Sequence, residues 1–237
     1  MFYALETFCE NLEDDLIPHL PILMERLFEA LDPTNSVHLR ELALSAVTAT
    51  ATAAKSNMLP YFPRLIQGLK MYLLITEDEN ICTLRPLAVD TLAALARTIG
   101  KENFLPLAVD TMNLGLALLM DSDDPDLRRS CYNLFGSMSE VLNDDMAEAL
   151  PQIVGKMIES VKSSEGLLEE HKDDEDKNSA DIAASLLTAD VDDEEIDIEN
   201  SDEEDDDDIV GYSVENAYLD EKEEAIIGLR ELAEHTG

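Results

Sequence analysis

The sequence predicts an all-α solenoid, a right-handed superhelix of antiparallel helix pairs that carries one long acidic disordered loop. Three observations predict it. A Leu-Pro pair recurs along the chain, an amphipathic helix recurs in step with it, and one acidic stretch interrupts the last repeat.

The Leu-Pro pairs are Leu20-Pro21, Leu59-Pro60, Leu105-Pro106 and Leu150-Pro151, spaced by 39, 46 and 45 residues. Proline suits a first helical turn, where its missing N–H has no partner to lose. Behind Pro21 come Leu23, Met24, Leu27, Phe28 and Leu31; behind Pro151 come Ile153, Val154, Met157, Ile158 and Val161. Each set is one face of a helix. These are the A helices, each expected to open at its Leu-Pro pair.

A second helix, B, follows each A helix. Its first full copy places Leu39, Leu42, Ala43, Ala46, Val47, Thr50, Ala51 and Ala54 on one face. Leu84, Leu87, Ala88, Thr91, Leu92, Leu95, Ala96 and Ile99 match these at an offset of 45, and Leu127, Cys131, Leu134, Phe135, Met138 and Leu142 follow at a further 43. The spacing is that of an amphipathic helix. Each copy begins Leu-Arg, at Leu39-Arg40, Leu84-Arg85 and Leu127-Arg128, and Asp32-Pro33 and Asp124-Pro125 mark two A-to-B turns. A two-helix unit of this length lies in the HEAT/armadillo range, and the Asp-Pro turn with an early Arg in helix B resembles HEAT units. One unit cannot bury its own apolar face, so units must stack.

Leu5, Phe8, Cys9 and Leu12 read as a B helix without its A partner. The expected organisation is therefore residues 1–164 as HEAT repeats: a partial first repeat, about three A/B pairs and the A helix of a fourth. An acidic insertion follows at 165–211, and 212–237 is helix B of the fourth repeat. The expectation is an open-ended slice of a longer solenoid. In the fourth repeat helix B, read as Tyr218, Ala225, Ile226, Leu229, Leu232 and Ala233, starts 67 residues after Pro151, against 18, 24 and 21 in the others. The insertion holds 22 acidic residues and two lysines, Lys172 and Lys177. Such a segment cannot bury enough apolar surface to offset its ordering entropy and is expected to be disordered.

The 237 residues carry 53 acidic and 16 basic side chains, a formal net charge of −37. That balance argues against direct binding of nucleic acid, which requires Lys and Arg to displace counterions, and against an anionic membrane surface. It favours basic partners. Cys9, Cys82 and Cys131 are too few and too scattered for a disulfide framework, so a reducing compartment is expected. No cationic leader opens the chain. The apolar stretches are read as stopping short of a membrane span. A soluble, intracellular monomer is expected. His19, His38, His171 and His235 are too far apart to build a zinc site with the cysteines. Asp205–Asp208 lacks the alternation of a calcium loop, and no phosphate-cradling loop or nucleophile elbow is present. No catalytic residue and no cofactor is assigned; the chain reads as non-enzymatic.

Three segments carry a resemblance. They are Met58-Leu59-Pro60-Tyr61-Phe62-Pro63, Asp123-Asp124-Pro125-Asp126-Leu127-Arg128-Arg129, and Gly211-Tyr212-Ser213-Val214-Glu215-Asn216-Ala217-Tyr218-Leu219-Asp220-Glu221-Lys222-Glu223. With them the chain resembles the importin-beta (karyopherin) family, and its importin 4 branch most closely, through essentially its whole length. The resemblance implies nuclear import, with shuttling between cytoplasm and nucleus. It implies basic protein cargo such as core histones and ribosomal proteins, contacts with Phe-Gly nucleoporins, and cargo release by the GTPase Ran. The family's main Ran-binding repeats lie toward the amino terminus of the longer receptors. It also implies that B helices line a concave cargo surface. The candidate cargo-binding residues are Glu41, Asp90, Glu140, Glu221, Glu223 and Glu224 on B helices, and Asp202, Glu203, Glu204, Asp205, Asp206, Asp207 and Asp208 in the insertion. The alternatives are a static HEAT scaffold of the phosphatase-subunit or chromatin-assembly kind, and an acidic histone chaperone.

Overall fold

A computed structural model describes residues 13–73, 78–120, 122–171 and 209–236. Among them eight α-helices follow one another in pairs. The A helices are α1 (Leu20–Ala30), α3 (Phe62–Leu73), α5 (Lys101–Met120) and α7 (Leu150–Lys162). The B helices are α2 (Val37–Ala54), α4 (Glu79–Thr98), α6 (Pro125–Leu142) and α8 (Asn216–Thr236). The partial helix expected at Leu5–Leu12 and the acidic run Asp202–Asp208 lie outside the described residues.

The chain divides into two compact units. One comprises Met1–Ser163 and Asp220–Gly237, the other Ser164–Leu219. In the first, A and B helices enclose one apolar core whose members include Met24, Leu44, Leu84, Phe104, Phe135 and Met157, all essentially inaccessible to water. Burying one such side chain stabilises by about 1.5–3 kcal/mol.

Local chemistry sets the turns. Asp32 accepts hydrogen bonds from the Thr34 N–H at 2.9 Å and the Thr34 hydroxyl at 2.6 Å. Both bonds favour the carboxylate and hold its pKa below the usual value, the hydroxyl most strongly. Asn35 donates its amide to the Glu29 and Ala30 carbonyls, which closes α1. Ser36 caps α2 by accepting the Leu39 N–H at 3.2 Å. Asp124 caps α6 by accepting the Asp126 N–H at 3.0 Å.

The repeat read from the sequence reappears in the backbone. Lys55, Gly100 and Asn143 each follow a B helix, stand 45 and 43 residues apart, and have φ of 51°, 88° and 49°. These are the offsets at which the apolar B faces superimpose. A residue with positive φ follows each of these helices, and a buried anchor comes within four residues of it: Met58, Phe104 and Met146.

Four sequence expectations about the helices are corrected. Pro106 lies inside α5, which begins one turn earlier at Lys101. Phe104 is fully buried, and the Asn103 and Phe104 N–H groups both bond to the Gly100 carbonyl, so burial and capping draw the earlier turn into the helix. Likewise Leu59 and Pro60 form a turn, and α3 opens at Phe62-Pro63. On α8 the buried residues are Glu221, Ala225, Gly228 and Leu232; Ile226, expected inside, is 57 % exposed, and Ala233 is exposed too. The inward face is rotated because Gly228 lets α8 approach α7: a Cβ there would stand 2.7 Å from the Met157 methyl. Helix α5 is also long and apolar enough to cross a membrane by length and composition, which differs from the sequence reading. Its Phe104, Ala108, Thr111, Gly115, Leu118 and Leu119 are buried.

The second unit holds a two-stranded antiparallel ribbon, β1 (Leu167–His171) with β2 (Ile209–Val214). Both ends of the insertion, expected to lack structure, are therefore paired. Gly166, at φ 77°, leads into β1 with no room for a side chain, because the Tyr218 ring lies where its Cβ would be. Residues 172–208 lie outside the described residues.

The positive-φ positions give a test. A Cβ at Gly100 meets nothing closer than 3.8 Å, so Gly100→Ala should cost about 1 kcal/mol from backbone conformation alone. Lys55→Gly should stabilise by a similar amount. Denaturant midpoints at constant m-value would show both shifts.

Candidate functional site

The B helices meet through polar side chains as well as through the core. Between α2 and α4, Thr48 and Thr91 share a hydroxyl hydrogen bond of 2.9 Å. Between α4 and α6, Asp90 accepts from Arg129 at 2.8 Å and from the Asn133 amide at 3.2 Å. Asn133 in turn accepts from Arg97 at 3.1 Å through its side-chain oxygen. Arg97 also donates to Ser137 at 2.6 Å and forks onto Glu231 of α8 at 2.9 and 3.0 Å. This chain of bonds runs from Arg129 through Asp90, Asn133 and Arg97 to Glu231. It passes over Gly136 of α6, where a Cβ would collide with the Glu231 carboxylate.

A second link is buried. Arg128 donates two hydrogen bonds to Glu221, at 2.7 and 2.9 Å. Their side chains are 11 % and 3 % exposed. Further along, Ser139 bonds the His235 ring at 2.9 Å. The recurrent Leu-Arg thus has a structural meaning: Arg40 and Arg85 are buried and Arg128 nearly so. Arg40 lies over the Tyr72 ring at 5.9 Å.

Titration behaviour follows from this packing. Burial is the largest influence on Arg129 and works against its charge, but the charge and hydrogen bond of Asp90, with the charges of Asp126 and Glu224, together raise its pKa. Burial raises the pKa of Glu224; Arg129 and Arg97 pull it back in part, and Glu231 and Asp90 add to the rise. Burial is also the main cause that pushes the Tyr132 hydroxyl up to about 12, against the opposing bond to Ser160. Cys131 is buried and its thiol is raised as well, burial being the first cause, while Cys82 is half-buried.

The six B-helix candidates separate accordingly. Glu221 is buried against Arg128 and Asp90 is held by Arg129 and Asn133, so neither presents a free carboxylate to solvent. The sequence shows the charge but not the partner in the next repeat. Glu224 is half-buried between the arginines. Glu41 reaches His38 at 3.3 Å and keeps partial exposure. Glu140 and Glu223 are exposed. The structure does not bring these three onto one spot. It does gather an acidic cleft that sequence reasoning missed, about 390 Å³ in volume, lined by Glu79, Cys82, Thr83, Pro86, Asp124 and Asp126 at the leading ends of α4 and α6. The signal was present: acidic residues at two successive B-helix starts come to lie side by side when the helices stack.

No family model matches the chain. It is 40 % identical to human Importin-4 over 202 residues, which are 85 % of this chain and 18 % of the relative. It is 28 % identical to the probable importin subunit beta-4 of Schizosaccharomyces pombe over 163 residues, 68 % of the chain and 15 % of the relative. The chain belongs to the importin-beta (karyopherin) family. It spans about a fifth of the length of those relatives. Among solved structures, Kap121p bound to Pho4p superposes with a TM-score of 0.68 at 20 % identity, covering 99 % of this chain and 20 % of that one. Kap121p bound to Nup53p gives 0.64 at the same identity and coverage. The karyopherin solenoid is thus the fold of this chain, and its B-helix ladder is what joins successive repeats here.

Two predictions follow from the ladder. Glu221→Ala removes the two-point carboxylate partner of the nearly buried Arg128, which should destabilise by about 3–5 kcal/mol; chemical denaturation measures it. For Glu224 the folded pKa lies above the unfolded one, so its protonated form favours folding and that contribution is lost as pH rises through the folded pKa. Glu224→Gln should therefore be the more stable form at neutral pH, with the difference shrinking below about pH 4, as read from melting temperature against pH.

Proposed function

We propose that this chain is a cargo-holding segment of a nuclear import receptor, and that basic protein segments bind along its B helices. The observation that carries this is the sorting of charge. All five arginines on α2, α4 and α6 lie between helices or in ion pairs. Cations that reach solvent lie largely on A helices, as at Arg26, Arg64 and Lys70. On the B side the open groups are mainly carboxylates, Glu41, Glu140, Glu223 and those of the Glu79–Asp126 cleft, with Arg230 of α8 an exposed cation beside Glu234. A basic chain meets acceptors there with few competing donors.

Each exposed pair contributes only about 0–1 kcal/mol, so affinity is the sum of many contacts. Association is fast and salt-sensitive for the same reason. The insertion, with Asp202, Glu203, Glu204 and Asp205–Asp208, acts as an additional acidic arm. Core histones and ribosomal proteins have the right charge as cargo. In the intact receptor GTP-bound Ran releases the cargo, Phe-Gly nucleoporins guide passage through the pore, and the receptor shuttles between cytoplasm and nucleus. That Kap121p, of the same fold, is solved with Pho4p and with Nup53p supports reading such a solenoid as a partner-binding surface.

The test is fluorescence anisotropy with a labelled histone-tail peptide. Glu140→Lys with Glu223→Lys should weaken binding about tenfold at low salt, and the native affinity should fall steeply as salt rises. Unchanged affinity in both comparisons would overturn the proposal. Replacing residues 172–208 by a short Gly-Ser turn should also weaken binding; equal affinity would make the arm a spacer.

A further inference from the structure

The ribbon in the second unit has a geometry that the helical surface lacks. The Glu215 N–H donates to the Gly166 carbonyl at 3.0 Å, and Leu167 pairs with Val214. In an antiparallel ladder, bonded pairs alternate with unbonded ones. The bonded pairs are therefore Gly166 with Glu215, Leu168 with Ser213 and Glu170 with Gly211. The backbone of the intervening β1 residues points away from β2. Along that outer edge the Leu167 N–H bonds to the Ser164 carbonyl at 3.2 Å, which leaves the Leu167 carbonyl and both polar groups of the Glu169 backbone facing outward. Among the described residues no third strand covers them.

The side chains flanking this edge say what would fit it. Leu167 and Leu168 lie on opposite faces of the ribbon, 47 % and 50 % exposed. The described residues of this unit, 164–171 and 209–219, contain Glu165, Glu169, Glu170 and Glu215 and no Lys or Arg. Exposed strand edges are commonly guarded by Lys or Pro; β1, Leu-Leu-Glu-Glu-His, has neither. The acidic composition of β1 disfavours a second copy of the same strand and favours a cationic one. A two-stranded ribbon is also marginal by itself in water, and a third strand strengthens it.

The geometry points to strand addition: an extended basic segment, alternating cationic and apolar residues, pairs its backbone with the outer edge of β1. Its N–H and C=O groups bond to Glu169 and Leu167, its apolar residues cover Leu167 or Leu168, and its positive charge complements a segment that holds glutamates and no Lys or Arg. Backbone pairing supplies a geometric register that exposed charge alone does not. This rests on the proposed binding of basic segments and gives it a defined mode at one place.

The test uses the full chain and the hexapeptide Lys-Val-Lys-Val-Lys-Val, in which charge and side chains stay fixed while backbone donors are removed. N-methylation of the alternate amides that face β1 should weaken binding about tenfold or more. N-methylation of the other set should have much less effect, and hydrogen exchange at the Glu169 amide should slow when the parent peptide binds. Equal binding of all three peptides with unaltered exchange at Glu169 would overturn strand addition and leave electrostatic binding by the B helices standing. No binding of any peptide at low salt would overturn both.

Discussion

The structure depends on where its arginines are. In a chain of net charge −37, cations are scarce, and those of α2, α4 and α6 are held between helices. Arg128 on Glu221 and Arg97 on Glu231 are each two-point contacts, and Arg129 on Asp90 continues the line. Each joins a B helix to one that follows it. Breaking such a pair leaves a charge in a place that water reaches poorly, which costs more than the pair contributes when intact. The ladder thus orders the repeats and, by drawing the cations inward, fixes the sign of the surface that remains.

Much of this fold was legible because it repeats. The apolar B faces superimposed at offsets of 45 and 43, and Lys55, Gly100 and Asn143 return those offsets as positive-φ residues behind the helices. What a repeat cannot reveal is the exception. Pro106 occupies the aligned Leu-Pro position, yet Phe104 is buried one turn before it and draws the helix start back to Lys101. On α8, Ile226 matches the apolar pattern, but Gly228 brings the helix close to Met157 and turns Glu221 inward instead. The ribbon was missed because Leu167–His171 and Ile209–Val214 are short and sit at the ends of a strongly acidic stretch, where composition argues for disorder.

The candidate site was legible in sign and only partly in detail. An acidic residue at a polar helix position reads the same whether it faces solvent or an arginine one repeat away. Asp90 and Glu221 were of the second kind, Glu140 and Glu223 of the first. The Glu79–Asp126 cleft needed the stacking of two helix starts, which no single repeat displays. The ladder explains physically how an acidic chain can pack its repeats and still keep carboxylates free.

The most direct measurement is an NMR titration of the isotope-labelled chain with a decalysine peptide at low salt. The account predicts that shifts concentrate around Glu41, Glu140, Glu223 and the Glu79–Asp126 cleft, leave the side chains of Asp90 and Glu221 unmoved, and vanish at high salt. Shifts centred on the A helices, or a peptide that displaces Arg128 from Glu221, would contradict it.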